Sequence, residues 1–205
     1  MGLPPMGNAG DTIARMRSYG DYCMDIYDDP ELVAQKELAL AEVWRMLYTQ
    51  VTAALEPLQQ GTCGWLPAWY KGRSLLLEFD FCALISPAHF ELFIPAMERR
   101  AELTERTIFH LDGPDALVHL DRLLELPFID AIQALPGAGI ADPLEWMLVY
   151  KRIQAAGKSL FIGNSVSEDQ ARILISELHP EGLMLPVWFK DRDTAYLFAE
   201  EFNVI

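Results

Sequence analysis

"TIFHLDGPDALVHLDRLLEL" (107–126) decides how this chain is read. A short apolar run carrying His110 and Asp112 breaks at Gly113-Pro114. Leu117, Leu120, Leu123 and Leu124 then recur at helical spacing. Pro114 suits a first helical turn, so the stretch predicts a strand followed by a helix. Residues i and i+2 of a strand share a face, which places His110 and Asp112 side by side where the strand ends. Two roles stay open for the pair: working groups at a strand terminus, or a helix cap beside a hydrogen-bonded core histidine.

The same texture repeats on either side. "LLLEFDFCALI" (75–85) is an apolar run with Asp80 in its middle, followed by a helix over 86–105 opened by Ser86 and Pro87. "FIDAIQALPGAG" reads as a strand ending in a glycine loop, and the next helix starts at Asp142-Pro143 and closes at Gly157. "KSLFIGNS" precedes a helix capped by Ser167, and "GLMLPVWFKD" precedes the last helix, "DTAYLFAEEF". Apolar strands alternating with amphipathic helices predict a parallel sheet covered on both sides.

Upstream, Asp29 and Pro30 open a long helix that runs to Pro57, with Leu32, Leu38, Val43, Leu47, Val51 and Leu55 near helical spacing. Residues 1–28, rich in Gly, Pro and Asp, read as irregular, with "GDYCMDIY" at most a poorly formed strand. The expectation is one α/β domain over 1–205, with β/α units over 29–205. Its fold class is a partial or distorted (β/α)8 TIM-type barrel of about five units behind a long N-terminal helix. A complete barrel needs about 200 residues or more. Counting alone leaves an open sheet and an incomplete barrel equally available.

Composition narrows the function classes. Thirty acidic against 16 basic side chains give a net charge of -14, which repels phosphate backbones and anionic membrane surfaces. Cys23, Cys63 and Cys82 are odd in number and widely spaced, as in a reduced cytoplasmic protein. The first residues lack the basic start and apolar core of a signal peptide, and no apolar run is long enough for a bilayer.

Four stretches, "EFDFCALISPAHFELFIPAMERR", "FHLDGPDALVHLDRLLELPFIDAIQALPGAG", "PLEWMLVYKRIQAAGKSL" and "PEGLMLPV", resemble the uroporphyrinogen decarboxylase-like superfamily, especially members near the corrinoid-dependent methyltransferases. The likeness covers roughly 19–203 and is carried by the linked motif HLDGPxALxHLDxLLxL…IDAIQxxPGAG. It implies a (β/α)8 barrel, of which this chain matches the C-terminal part. The N-terminal strands and the Arg- and Gly-rich segment that grips substrate carboxylates have no counterpart here. The resemblance therefore implies a shortened product, a fragment or one half of an assembly.

It also implies where a metal would sit. In the methyltransferases a His-x-Cys at this strand end and a later Cys hold zinc. Here Asp112 replaces the first Cys, and no Cys follows Cys82. Three protein ligands plus water are usual for catalytic zinc, so His110 and Asp112 need a third donor, such as Asp80 or a glutamate, for zinc or another divalent metal.

The remaining candidates are positional. Asp80, inside an apolar run, is either a functional group at the barrel mouth or a carboxylate bonded to backbone at a strand end. His119 lies on an apolar helical face, as a ligand contact or a core histidine. Gln133 and Asn164 close later strands, and Lys190 or Asp191 closes the last. "PGAG" lacks a nucleotide-loop pattern and reads as a tight turn. Trp65, Trp69 and Tyr70 in "QQGTCGWLPAWYKGRS" form an aromatic wall for a planar or methylated ligand, or pack inward. The charged row Glu98, Arg99, Arg100, Glu102, Glu105 and Arg106 reads as a solvated helix face.

The function expected first is methyl transfer from a small methylated substrate to a thiol or to a corrinoid on a partner protein. His110, Asp112 and Asp80 are its catalytic groups, and Gln133, His119, Asn164, Trp65 and Trp69 touch substrate. Tetrapyrrole decarboxylation comes second, since no arginine cluster is visible in the sequence. The alternative is a non-catalytic binding or assembly subunit, either a homo-oligomer or a complex with a separate N-terminal half.

Overall fold

The computed structural model describes residues 9–137 and 142–202. The first eight residues of the segment expected to be irregular lie outside the described residues, as does the "PGAG" loop beyond Gly137. The rest of that N-terminal segment corrects the expectation, because it forms two helices, α1 (Asp11–Arg17) and α2 (Tyr19–Asp28). "GDYCMDIY" is therefore helix, not strand. Ser18 accepts a hydrogen bond from Asp21 N as its cap, and Tyr22 and Ile26, four apart, form the buried face.

Helix α3 (Pro30–Leu55) begins as the sequence predicts, with Asp29 accepting from Leu32 N and Pro30 in the first turn. Its apolar stripe points elsewhere than the sequence reading implies. Val33, Glu37, Ala41, Trp44, Tyr48 and Thr52 are buried, while Leu32, Leu38, Val43 and Leu47 are exposed. The helix is turned by the stacked Trp44–Tyr48 pair and by two polar residues that find partners inside. Tyr48 OH donates to Ser74 O, and Tyr22 OH donates to Glu37.

Five strands follow, β1 (Ser74–Glu78), β2 (Arg106–Asp112), β3 (Ala131–Leu135), β4 (Ser159–Ile162) and β5 (Leu183–Met184). They form one parallel sheet in the order β1-β2-β3-β4-β5. Between them lie α4 (Pro87–Phe90) and α5 (Ile94–Ala101), α6 (Leu120–Glu125), α7 (Met147–Ala155) and α8 (Glu168–Glu177), with α9 (Arg192–Glu201) last. Each strand pairs with the one before it in the chain, and by the usual right-handed crossover rule the helices fall on one face. This corrects the expectation of a sheet covered by helices on both sides. The fold is thus α/β, and its winding has no reversal. Among the described residues the sheet does not close, since β1 and β5 each have one strand neighbour.

Alternation along the strands sorts the two faces. Leu75, Leu77, Phe109, Leu111, Ile132, Ala134, Leu160 and Ile162 join the helices in the main core. The other face carries a row set by register, Glu78–His110–Gln133–Phe161–Met184. Over its β1–β2 end lies the 61–73 loop, where Gly64 packs on Leu76 and Trp65 on His110.

Two further expectations change. "LLLEFDFCALI" is not one strand: β1 stops at Glu78, and Asp80 opens a 3-10 helix, Asp80–Leu84. Arg100 is not on a solvated face, since it is almost wholly buried beside α3. Helix α8 has the capping box expected from Ser167, whose Oγ accepts from Gln170 N while Gln170 Oε1 accepts from Ser167 N. Ser167→Ala should lower stability by about 1 kcal/mol in denaturant unfolding, with an unchanged slope. No described helix is long and apolar enough to cross a membrane.

Candidate functional site

The residues singled out in "HLD" meet Asp80 at the carboxyl ends of β1 and β2. One ligand atom from each of Asp80, His110 and Asp112 lies within 4.8 Å of the others. Each arrives by a different local device. His110 sits on the polar row of β2, and Asp112 is two residues further along the same face, as strand alternation requires. Asp80 comes from the 3-10 helix after β1, with its carboxylate about half exposed (48%). The cost of burying a lone carboxylate in a strand therefore does not arise.

The imidazole is held from three sides. Gln133 Oε1, its register neighbour, accepts from His110 Nδ1 at 2.5 Å. On the other side of the ring, Nε2 stands 3.8 Å from Asp80 Oδ1. Trp65 meets the ring edge-on, with centroids 5.2 Å apart, and its indole N–H donates to Glu78. Asp112 is half-buried. Burial pushes its carboxyl above the usual range and the Asp80 charge adds to that, while His110 pulls the other way. Behind it, Gly137 at φ 81 lets the β3 loop pass the β2 loop. A Cβ there would stand 2.9 Å from Gly113 Cα and 3.5 Å from Asp112 Oδ1.

The other candidates separate. Gln133 lies in mid-strand rather than at its end, buried, where it sets the imidazole. Asn164, just past β4, is half-buried with its Oδ1 unpartnered. Trp69 shares the aromatic loop with Trp65 but packs at Gly61, and its ring is largely exposed. His119 is fully buried, so the expectation that it touches substrate is not met. Its Nε2 donates to Cys82 O at 2.8 Å and its ring stacks on Phe90, bracing the 3-10 helix from behind. Burial lowers its pKa and keeps the ring neutral.

Sequence reasoning missed two residues here. Glu78 precedes Asp80 by two in "LLLEFDF", a spacing that could have flagged it. Asp11 left no local signal. Its buried carboxylate accepts from Asp80 N (3.1 Å) and Phe81 N (2.7 Å), partners about seventy residues away. Desolvation, the largest influence, pushes it up to about 6 despite those two donors.

One imidazole nitrogen and two carboxylates suit a divalent cation that accepts oxygen and nitrogen donors. A thiolate-held zinc is not built here. Cys82 is buried, and burial raises its thiol far above the range in which it ionises. No family model matches this chain, and no curated protein does.

Proposed function

We propose that this is a uroporphyrinogen decarboxylase-like protein. In this reading its five β/α units are part of a TIM-type barrel, and its rim site binds a small methylated substrate for transfer of the methyl group to a thiol or a corrinoid acceptor. The observation that supports this best is the convergence of Asp80, His110 and Asp112 on one end of a singly wound parallel sheet. Active sites of such sheets lie at that end because the loops there bring side chains from several strands together.

His110 Nε2, Asp80 and Asp112 would hold the divalent cation. When bound, it supplies Lewis-acid activation of a thiol or a substrate heteroatom. The protein's own part is to fix the imidazole tautomer through Gln133, to present Asp112 as a carboxyl with raised proton affinity, and to wall the site with Trp65. A polycarboxylate substrate fits this rim poorly, since Asp80 and Asp112 repel it. Three unpaired cysteines support cytoplasmic placement.

A second reading, assembly, has its own support. Among the described residues β5 has one strand neighbour, and a groove of about 440 Å³ beside it is lined by Leu183, Leu185, Val187, Phe189, Phe198 and Phe202. A second copy or a separate N-terminal half would cover it and complete the rim.

The test is titration of the purified chain with Mn2+ and Zn2+ by calorimetry, beside His110→Ala and Asp112→Ala. A single site weakened by at least about 100-fold in both variants is expected, since each removes a ligand. Methyl transfer from methylcobalamin to a small thiol, followed by absorbance, should disappear in the same variants. Equal cation binding in all three proteins would sink the site, and no transfer by a cation-loaded wild type would sink the methyl-transfer assignment.

A further inference from the structure

The 3-10 helix that begins with Asp80 has no cap of its own. Phe79 precedes it and offers no side-chain hydrogen bond, so the first backbone N–H groups need acceptors from elsewhere. Asp11 supplies them. Its two carboxylate oxygens take Asp80 N and Phe81 N, one each, from a buried position at the start of α1.

The approach of Asp11 is itself fixed. Gly10 has φ 62, and a Cβ there would lie 2.0 Å from the Phe79 ring, so the chain passes against Phe79 only as glycine. Gly10 N donates to Glu37 Oε2 on α3 at 3.1 Å. The middle of the same 3-10 segment is held by His119 through Cys82 O. The segment is thus held at its start and at its middle, and Asp80 leaves from the start that Asp11 grips.

We infer that Asp11 is a positioning residue for the rim site, fixing the backbone from which Asp80 reaches toward His110 and Asp112. This rests on the reading of those three residues as one site. It makes the N-terminal helix a part of that site, and Arg15 of the same helix adds an electrostatic attraction to Asp80.

The experiment compares wild type, Asp11→Ala, Asp11→Asn and Asp80→Ala, with Leu174→Ala in α8 as a destabilised control remote from the rim. Mn2+ affinity is measured by calorimetry, and the His110 ring by the chemical shifts of its Nε2 and Cε1 in cation-free protein. Asp11→Ala is expected to weaken Mn2+ binding by about 10-fold, in the range for residues that orient ligands. Asp11→Asn, which keeps one acceptor, should fall between it and wild type. Leu174→Ala should bind as wild type despite a lower Tm. In an Asp80→Ala background, Asp11→Ala should add nothing.

The His110 shifts of Asp11→Ala should move toward those of Asp80→Ala. Wild-type Mn2+ affinity and wild-type His110 shifts in Asp11→Ala would overturn the inference. So would an equal loss of affinity in Leu174→Ala. If wild type binds no Mn2+, the cation reading fails by itself, and the cation-free shifts still decide the role of Asp11.

Discussion

Glu37→Leu is expected to cost about 3–5 kcal/mol of unfolding free energy, because it orphans two buried donors and removes the charge that offsets the buried Arg100. Glu37 is fully buried and accepts from Tyr22 OH at 2.7 Å and Gly10 N at 3.1 Å. Its charge also opposes that of Arg100, which is 1% exposed, donates from Nη1 to Ala96 O and has no partner at Nε. Burial drives the two groups in opposite directions, raising the carboxyl and lowering the guanidinium. Each charge makes the other tolerable.

Leucine at 37 would leave Arg100 charged and unopposed, with the Tyr22 hydroxyl and the Gly10 N–H orphaned as well. Since total stability is only about 5–15 kcal/mol, the single variant should be close to unfolding at 37 °C. Glu37→Leu combined with Arg100→Met should recover the part of the loss that comes from the unopposed guanidinium, and leave the part that comes from the orphaned Tyr22 hydroxyl and Gly10 N–H. The check is urea unfolding of both proteins. A single-variant loss below about 1 kcal/mol, or a double variant as weak as the sum, would refute the electrostatic coupling of the two residues. The pH sign follows. The folded chain holds the Glu37 proton more tightly than the unfolded chain, so this carboxyl favours folding more as pH falls and less as pH rises through its folded pKa. Acid lability, if found, comes from other groups.

Phe79→Ala should cost about 3–5 kcal/mol by the transfer and cavity terms for a buried aromatic ring. The ring is buried at centroid distances of 4.6 Å from Phe93, 5.6 Å from Phe90 and 6.5 Å from Phe81. Phe79→Leu should cost roughly half as much, as it keeps part of the volume. Phe79 also forms the surface against which Gly10 packs and adjoins Asp80 in the chain. The alanine variant should therefore lose rim-site Mn2+ affinity as well as stability, and urea titrations with and without Mn2+ separate the two. Retained affinity at full occupancy in a destabilised Phe79→Ala would show that core and rim are independent.

Much of the fold could be read in the sequence wherever short-range chemistry decides it. Asp29-Pro30, Ser86-Pro87 and Ser167 mark helix starts that the structure keeps, and "TIFHLDG" marks β2. The meeting of His110, Asp112 and Asp80 was also legible, because parallel strands bring their carboxyl ends to one side. What escaped depends on partners far along the chain. The N-terminal helices are anchored by Asp11 on residues 80 and 81, which no window of sequence displays. Glu37 and Arg100 look like surface charges until each other's burial is known. Ser18 caps α2 by accepting from Asp21 N, a short-range device that the reading of residues 1–28 as irregular passed over.

The consequence of uniform winding concerns growth. With no reversal in strand order, Asp80, His110 and Asp112 gather at the β1–β2 flank, while β5 ends the array on the opposite flank. A further module spliced beside β5 would stack there without rethreading the chain or disturbing the triad. Extension and the acidic–imidazole cluster thus occupy separate ends of one scaffold, which makes the β5 flank the natural place to enlarge this protein by design.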